Sequence, residues 1–308
     1  MISVCIPVYN SFVNELVKAL YYQKVSLNYI VEIVVIDDAS DEEWKESNRQ
    51  LGKYIDKYIE LDQNAGRSRI RNLFLKYASK PNLLFIDCDS SITDSDFLKR
   101  YIDALKKGTG RVIVGGSTYR EEKPEKNKRL RWVYGHKSES KPAGERNKTP
   151  YSSFKTNNVL IPAEVLSKIP FEESMTGYGH EDTLMGYRLR ESGVEVIHID
   201  NYVLNSKLDT NEEFLKKSAE AVDSLFKALD IVKGDKDFIE DVKLLRWVRM
   251  LYQKRLMRLV YAVLNIIMPF VLVFLKRDLP SVSLLNLYKL HLALKLCNDR
   301  NACRYFRI

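Results

Sequence analysis

The sequence predicts an α/β fold with a mainly parallel central sheet flanked by helices, followed by a C-terminal helical extension. Short apolar runs alternate with segments of helical spacing through the first hundred residues, the order typical of βαβ units. The apolar runs are continuous rather than alternating, which fits a sheet covered by helices on both faces. The chain after about residue 244 is basic and apolar, which sets it apart from the sheet region.

In the N-terminal half, four apolar runs predict strands, and the segments between them predict helices. The spacing of Phe12, Leu16 and Leu20 favours a helix after the first run, and a capping box at Thr93–Asp96 predicts another through Leu105. The predicted strands are SVCIPVY, EIVVIDD, YIDKYIEL and LLFIDCD, and further helices are expected at 44–53 and 67–77.

The second half contains a long polar stretch and then more strand and helix signals. Residues 120–149 are rich in Lys, Glu and Pro, which predicts a mobile loop that is interrupted by RWVYGH. The strands NNVLIP and EVIHID follow, with a short helix from Ala163 and a longer one that ends at Gly193. A second capping box, Thr210 to Glu213, opens a helix toward Leu229.

Composition and charge restrict the class of protein. The 308 residues are 45% hydrophobic and 29% charged, as in ordinary folded proteins. The beginning, MISVCIPVYN, shows no signal-peptide pattern. The four cysteines show no metal-ligand pairing, and Cys5 and Cys88 are expected in the core, which favours a reduced cytosolic setting. The net charge of +8 is concentrated after Leu244, where about 12 Lys and Arg face only Asp278 and Asp299, so no nucleic-acid partner is expected.

Polar residues end the early strands, where ligands bind in open parallel sheets. Asp87 and Asp89 follow the run LLFI, and residues two apart lie on one face of a strand. Neighbouring carboxylates repel unless a positive charge lies between them, and Mg²⁺ commonly uses one or two carboxylates plus substrate phosphates. A divalent cation is therefore predicted here, although a solvated strand end would give the same local pattern.

Three other stretches suit a nucleotide site, although each has an ordinary structural interpretation. Asp37-Asp38 fits contacts to a ribose or base, or a simple turn. The stretch NAGRSRIRN places arginines at a helix start, which favours an anion such as a diphosphate. GYGHED places Glu181 and Asp182 at a helix N-terminus, where they stay ionised or merely cap the helix. The glycine motifs of dinucleotide-binding and P-loop proteins are missing.

Together these stretches resemble bacterial family 2 glycosyltransferases, which have the Rossmann-like GT-A fold. SVCIPVYN, VVIDDAS, NAGRSRIRN, LLFIDCDS and YGHEDTLMGYRL occur in that family's order, and the resemblance covers roughly residues 1–229. IDCDS is similar to the DxD motif and GHED to the ED motif. The resemblance implies an inverting transferase that uses a nucleotide-activated sugar and a divalent cation, Mn²⁺ or Mg²⁺.

The resemblance also implies a role for each matching residue. Asp182 is expected to deprotonate the acceptor hydroxyl, and Glu181 to hold the acceptor. The residues expected at the nucleotide are Pro7, Val8, Tyr9, Asp38, Arg71 and Asp87. The metal is expected on Asp89 and Asp87, and the acceptor side on Trp132, Tyr134 and Arg146.

One position departs from the family pattern. Many relatives carry a metal-binding histidine shortly after the strand that follows the ED helix, and Asn205 stands at that place. Its amide oxygen is a weak ligand for Mg²⁺ or Mn²⁺, or else the metal uses only Asp89, the diphosphate and water. His198 is interpreted as a strand residue rather than a ligand. Tight metal binding is the property that this departure affects.

The C-terminal region, 231–308, is expected to be a separate membrane-associating tail beside a catalytic domain at 1–230. Residues 259–275 form an apolar run of roughly 26 Å as a helix, short of the hydrocarbon core, and Pro269 is expected to break it. A helix in the membrane interface fits better than a span. A core-packing subdomain or a dimer contact remains as the alternative.

The sequence therefore predicts a glycosyltransferase that moves a sugar, with UDP-sugar as the expected donor, to a hydroxyl of a glycan or lipid-linked acceptor in cell-surface polysaccharide synthesis. The expected location is the cytoplasmic face of the inner membrane, held there peripherally by the tail. A nucleotidyltransferase also uses carboxylate-bound metals, but it normally has a glycine-rich, lysine-bearing loop that is missing here. A catalytically inactive sugar-nucleotide-binding subunit of a glycan-assembly complex is the alternative from another class.

Overall fold

The computed structural model describes residues 1–277, 280–299 and 302–306. Asp278, which enters the charge count of the tail, lies outside them. The chain divides into two compact units. The first comprises 1–120, 139–176 and 181–207, and the second comprises 121–138, 177–180 and the chain from 208 onward.

The first unit is built on a mainly parallel seven-stranded sheet, as predicted. Its order is β3-β2-β1-β4-β8-β6-β9, and β8 alone runs antiparallel to its neighbours. The strands are β1 Ile2–Val8, β2 Val31–Asp37, β3 Lys57–Glu60, β4 Asn82–Ile86, β6 Val112–Val114, β8 Asn158–Pro162 and β9 Val196–His198. A small sheet joins β5 Ser90–Ser91, β7 Ser117–Thr118 and β10 Val203–Asn205 in the order β5-β10-β7.

Helices cover both faces of the seven-stranded sheet, so its strands are buried on both sides. One core forms where Leu16 and Leu20 of α1 and Tyr101 of α4 pack on the sheet, and a second forms around Phe74 of α3 on the other face. The helices of this unit are α1 Asn14–Ser26, α2 Glu42–Arg49, α3 Arg67–Tyr77, α4 Phe97–Lys106, α6 Ala143–Arg146, α7 Ala163–Lys168 and α8 Glu181–Glu191.

The second unit is helical. Its members are α5 Arg129–Tyr134, α9 Asn211–Ile231, α10 Lys236–Asp241, α11 Lys243–Gln253, α12 Met257–Lys276 and α13 Val282–Asp299. Within it, α9 contacts α5, α12 and α13, because its buried residues repeat at helical spacing. The predicted domain boundary at residue 230 differs from this division, which assigns α9 to the helical unit.

Several local predictions are confirmed and three are wrong. Thr210 and Glu213 form the predicted capping box, and Gly193 follows α8 with a φ of 66°. Asp96, rather than Thr93, precedes α4 and makes no side-chain capping hydrogen bond. Gln23 Oε1 accepts instead from the N–H of Leu98 in the first turn at 2.9 Å. The segment 120–149 contains α5, α6 and helical turns instead of a loop, because Leu130 is fully buried and its N–H donates to the side chain of Asn211.

The third wrong prediction concerns Pro269, which does not end the helix. α12 runs through it from Met257 to Lys276. Proline removes one backbone hydrogen bond, and its ring needs space over the preceding turn. Pro269 lies on the exposed side of α12, where solvent can satisfy the freed carbonyl.

Candidate functional site

The end of β2 and the start of α3 are joined by the Asp38 carboxylate. Oδ1 accepts from the N–H of Ala65 at 2.5 Å, and Oδ2 accepts from that of Gly66 at 3.1 Å. Asp38 is only 5% exposed, and burial raises its pKa, while the two amide hydrogen bonds act in the opposite direction. The carboxylate therefore holds the NAGRSR turn. A direct contact of Asp38 with a nucleotide base stays a prediction.

The residues after β1 lie at the same edge of the sheet. Val8 is buried and its carbonyl accepts from the N–H of Asp38 at 2.7 Å, whereas the ring of Tyr9 is 54% exposed. Pro7 is half-buried within β1. Asn10 has a φ of 44°, which is uncommon outside glycine and recurs at functional turns. Of the three predicted contacts in this stretch, Tyr9 is the residue with a side chain open to solvent.

Arg71 of α3 is buried beside the DxD motif. Nη2 donates to Asp87 Oδ1 at 2.8 Å, and Nη1 donates to the carbonyl of Arg67 at 2.9 Å. Arg71 is 3% exposed, whereas the Asp87 side chain is 29% exposed. The hydrogen bond from the guanidinium thus fixes the orientation of the Asp87 carboxylate. The predicted contact of Arg71 with the nucleotide is not tested by this geometry and stays a prediction.

Asp89 is the second carboxylate of the DxD motif. It is exposed, and within the described part of the chain no other side chain hydrogen-bonds to it. The surrounding protein and the neighbouring charge of Asp87 raise its pKa, and the positive charges of Arg67 and Lys207 oppose that rise. Cys88, between the two aspartates, is half-buried and packs against the core formed with α1 and α4.

Asn205 is brought next to the DxD motif by the small sheet. It pairs with Ser90 across the β5–β10 ladder, and the hydroxyl of Ser206 donates to the carbonyl of Asp89 at 2.9 Å. The described residues contain no group of three or more His, Cys, Asp and Glu side chains that could hold a metal. An exposed carboxylate beside an amide oxygen and a second carboxylate nevertheless fits a hard cation that takes its remaining ligands from a substrate and water.

The ED motif begins α8. The Asp182 carboxylate is fully engaged: Oδ1 accepts from the N–H of Thr183 at 2.8 Å, and Oδ2 lies 2.6 Å from Lys155 Nζ. The Asp182 side chain is 16% exposed and that of Lys155 is 51% exposed. The sequence analysis did not identify Lys155, because 27 residues separate it from Asp182 and no local motif contains it.

Glu181 is buried with one oxygen unpaired. Its side chain is 8% exposed and Oε1 lies 3.6 Å from Arg67 Nη1, while Oε2 has no hydrogen-bond partner among the residues that the structure describes. Buried carboxylate oxygens are normally hydrogen-bonded, so an unpaired one calls for an explanation. A ligand hydroxyl that donates to Oε2 is one such explanation. Arg67, one of the three arginines of NAGRSRIRN, therefore brings a positive charge to the ED motif, and the same charge opposes the rise in the pKa of Asp89.

Close packing and backbone conformation explain why glycine occurs at both positions of GYGHED. A side chain on Gly177 would meet the hydroxyl of Ser224 at 2.6 Å, and Gly179 has a φ of 87° with Ala221 at 3.0 Å from the position of a Cβ. Both are needed for the chain to pass close to α9. The close approach of a substrate to the backbone is not required to explain them.

Arg146, predicted on the acceptor side, lies buried among backbone carbonyls. The residue is 5% exposed, and its guanidinium donates to the carbonyls of Val114, Gly115 and Ile199. Nη1 also lies 2.8 Å from His198 Nδ1. Burial lowers the pKa of His198 to about 4, so it is a neutral strand residue as expected. A buried arginine with these partners holds strand ends together, and a role for Arg146 on the acceptor side stays a prediction.

Trp132 and Tyr134 are both partly buried in α5. The ring of Trp132 lies 4.5 Å from that of His136, centroid to centroid. The ring of Tyr134 lies 5.3 Å from that of Phe214, with Lys289 Nζ 4.6 Å from its centroid. These contacts are internal to the helical unit. A role for either ring on the acceptor side stays a prediction.

Comparisons with known proteins agree with the fold. The chain is similar to a mannosyltransferase from Pyrobaculum calidifontis described with GDP-Man and Mn²⁺, with 14% identity, a TM-score of 0.58, and 97% of this chain and 87% of that one covered. It is also similar to S. aureus TarS 1–349 in complex with UDP-GlcNAc, with 15% identity, a TM-score of 0.51, and coverage of 97% and 91%.

Sequence comparison identifies the family. Chondroitin synthase of Escherichia coli is 25% identical over 226 residues, which is 62% of this chain, and the match spans about a third of that enzyme's length. The sequence profile of "Glycosyl transferase family 2" matches residues 3–162. That range is more than half of the chain and contains the turns after β1, β2 and β4 on which the site is built. The chain therefore belongs to glycosyl transferase family 2.

Proposed function

We propose that this protein transfers a sugar from a nucleotide-diphosphate donor to a hydroxyl of a glycan or lipid-linked acceptor, with inversion, in cell-surface polysaccharide synthesis. The observation that carries the proposal is the position of Arg67. It lies 3.6 Å from Glu181, and its charge acts on Asp89. A cation whose charge acts on both motifs is suited to a diphosphate that has metal on one side and the reacting sugar on the other.

The identity of the donor is supported by the related structures. S. aureus TarS is described with UDP-GlcNAc, and glucosyl-3-phosphoglycerate synthase from Mycobacterium tuberculosis is described with Mn²⁺ and UDP. The Pyrobaculum calidifontis enzyme is described with GDP-Man. UDP-sugar is our first choice for this chain because UDP occurs in two of the three.

Asp89 and Asn205, with Asp87 behind them, would hold Mn²⁺ or Mg²⁺. The ion would supply positive charge at the oxygen of the leaving diphosphate. Asp87 enters this set already paired with Arg71 at 2.8 Å, so its orientation is fixed before any ligand arrives. Asp89, exposed and without a side-chain partner in the described ranges, is the residue available for direct coordination.

Asp182 is the proposed general base. As the acceptor oxygen attacks the anomeric carbon, its proton moves to Asp182 Oδ2 and the bond from that carbon to the diphosphate oxygen breaks. A single displacement of this kind inverts the configuration. Oδ2 lies 2.6 Å from Lys155 Nζ, so the hydroxyl must compete with this ammonium group or share the oxygen with it. The unpaired Glu181 Oε2 is suited to accept a hydrogen bond from a second acceptor hydroxyl.

The proposal is tested with a panel of nucleotide sugars, measuring release of nucleoside diphosphate and transfer with and without Mn²⁺. Calorimetry of UDP binding is run on wild-type protein and on Asp89→Asn, with Asp103→Asn as the matched control on the exposed surface of α4. Metal is expected to strengthen UDP binding to wild type and to the control but not to Asp89→Asn.

Two results would change the proposal. Equal UDP binding with and without metal would remove the cation from the site. Metal-dependent binding without turnover of any donor in the panel would favour the inactive sugar-nucleotide-binding subunit.

A further inference from the structure

The helix α12 is apolar on two sides. Four residues at helical spacing are buried against the rest of the helical unit, namely Leu264, Met268, Val271 and Leu275. The most apolar 18-residue window of the helix has a mean hydropathy of 2.2, yet only 22% of that window is buried. Most of its apolar surface therefore faces away from the protein.

The outward residues form one continuous row, which we call the α12 stripe. It consists of Leu259, Val263, Ile266, Phe270, Val273 and Phe274, whose exposed fractions run from 46% to 72%. Their spacing of three or four places them along one side of the helix, over roughly 22 Å at 1.5 Å per residue. Single exposed apolar residues are normal on a soluble protein, but a row of six large ones indicates a binding surface.

Positive charges lie at both ends of the α12 stripe. Arg258 precedes it and Arg277 follows it, and Lys254 and Arg255 lie in the connection from α11. All four are exposed, and within the described residues none is paired with an acid. Lys276, by contrast, lies 3.0 Å from Glu212. An apolar row with unpaired cations at its ends is complementary to a lipid surface that carries anionic headgroups.

The same charges argue against a second copy as the occupant. Across a symmetric interface, the exposed arginines that border the stripe would approach those of the partner or lie close to them. Like charges at the edge of an interface oppose association. The basic tail offers few acids to compensate, since only Asp278 and Asp299 follow Leu244.

The packing of α12 favours a helix that lies in the membrane interface rather than one that spans it. Its length matches the hydrocarbon thickness, because 20 residues extend roughly 30 Å. However, a span would draw the four buried residues away from their protein partners. It would also break the hydrogen bond between Asn265 Oδ1 and His291 Nε2, which are 2.7 Å apart. A helix that lies flat keeps these contacts and inserts only the stripe.

We propose that the α12 stripe, with Lys254, Arg255, Arg258 and Arg277 at its ends, docks the protein on an anionic lipid surface with α12 parallel to the membrane plane. The headgroups contact the guanidinium and ammonium groups, and the stripe enters the boundary between headgroups and acyl chains. This surface supports the expected peripheral location of the protein. It needs no bound sugar nucleotide, so it can be tested separately from transfer.

The test is co-sedimentation of the full-length protein with vesicles of phosphatidylcholine alone or mixed with phosphatidylglycerol. Wild type is expected to bind the mixed vesicles and to lose binding as salt is raised. The double variant Ile266→Asp/Phe270→Asp is expected to bind them at least about tenfold more weakly. Val25→Asp is the matched control, since Val25 is an exposed apolar residue of α1 with 60% exposure. It should bind like wild type.

A second variant, Arg258→Glu/Arg277→Glu, changes exposed charges alone and leaves the packed face untouched. It should bind mixed vesicles about as weakly as neutral ones. The proposal is overturned if both double variants bind mixed vesicles like wild type. It is also overturned if wild type binds neither vesicle and sediments as a dimer that Ile266→Asp/Phe270→Asp converts to a monomer, because the stripe would then be a contact between copies.

Discussion

Replacing Asp182 with asparagine removes the proposed proton acceptor while keeping its shape. The amide oxygen can still accept from the N–H of Thr183, the partner of Oδ1 at 2.8 Å. The ion pair with Lys155 at 2.6 Å is lost. Donor binding is expected to stay near the wild-type value, because Asp89 and Arg67 are unchanged. The expected loss is therefore confined to the chemical step.

The effect of Asp182→Asn on the free energy of unfolding follows from the solvent exposure of Lys155. The Lys155 side chain is 51% exposed, so the ion pair is screened by solvent and contributes at most about 1 kcal/mol to the free energy of unfolding. The variant should therefore remain folded. General-base assistance is typically worth about 10²- to 10⁴-fold in rate, and kcat should fall by that factor.

The assay measures kcat and KM for transfer and the Kd for UDP on Asp182→Asn and on Glu181→Gln in parallel. A fall in kcat with unchanged UDP affinity indicates an interaction that is made in the transition state. Glu181→Gln keeps one oxygen and is expected to raise the acceptor KM rather than to abolish turnover. Thermal unfolding of both variants checks that each is folded.

Near-normal kcat in Asp182→Asn would refute the assignment. If Glu181→Gln then lost turnover, the unpaired Glu181 oxygen would be the better candidate for the base. If both variants kept turnover, the ED motif would have no part in proton transfer. A parallel loss of stability and activity in Asp182→Asn would instead show that the ion pair with Lys155 is structural.

Three further predictions concern buried polar groups. Arg71→Met leaves Asp87, whose side chain is 29% exposed, without its partner. The metal-dependent affinity for UDP, measured by calorimetry, should therefore fall about tenfold. An unchanged affinity would contradict the role of Arg71 in orienting Asp87. Asp38→Ala leaves the Ala65 and Gly66 amides without their acceptor. The free energy of unfolding, measured by urea titration, should therefore fall by about 1–3 kcal/mol. An unchanged urea midpoint would show that the turn does not depend on the Asp38 carboxylate. The pKa of His198 is about 4 in the fold, below its ordinary value of 6.5, so the unfolded chain takes up the proton first as pH falls. Stability should drop by about 3 kcal/mol between pH 6.5 and 4 relative to His198→Gln, and equal pH dependence of the two proteins would disprove a neutral buried imidazole.

Local patterns in the sequence determined several helices and strands in both units. The arginine-rich helix occupies residues 67–77 as expected, and the capping box at Thr210 forms, because both depend on residues within one or two turns. The burial of the parallel strands on both faces also follows from their continuous apolar runs. The order of the motifs was sufficient to predict the fold class, which the comparisons confirm.

The partners of individual side chains were decided only by the tertiary structure. Arg146 looked like an acceptor residue in a polar stretch, but the ends of β6 and β9 enclose its guanidinium. Lys155 pairs with Asp182, and Arg67 approaches Glu181, across separations that no local pattern encodes. Whether a charged group faces solvent, a ligand or a buried carbonyl depends on which distant strands and helices surround it. Short-range periodicity carries no information about that arrangement.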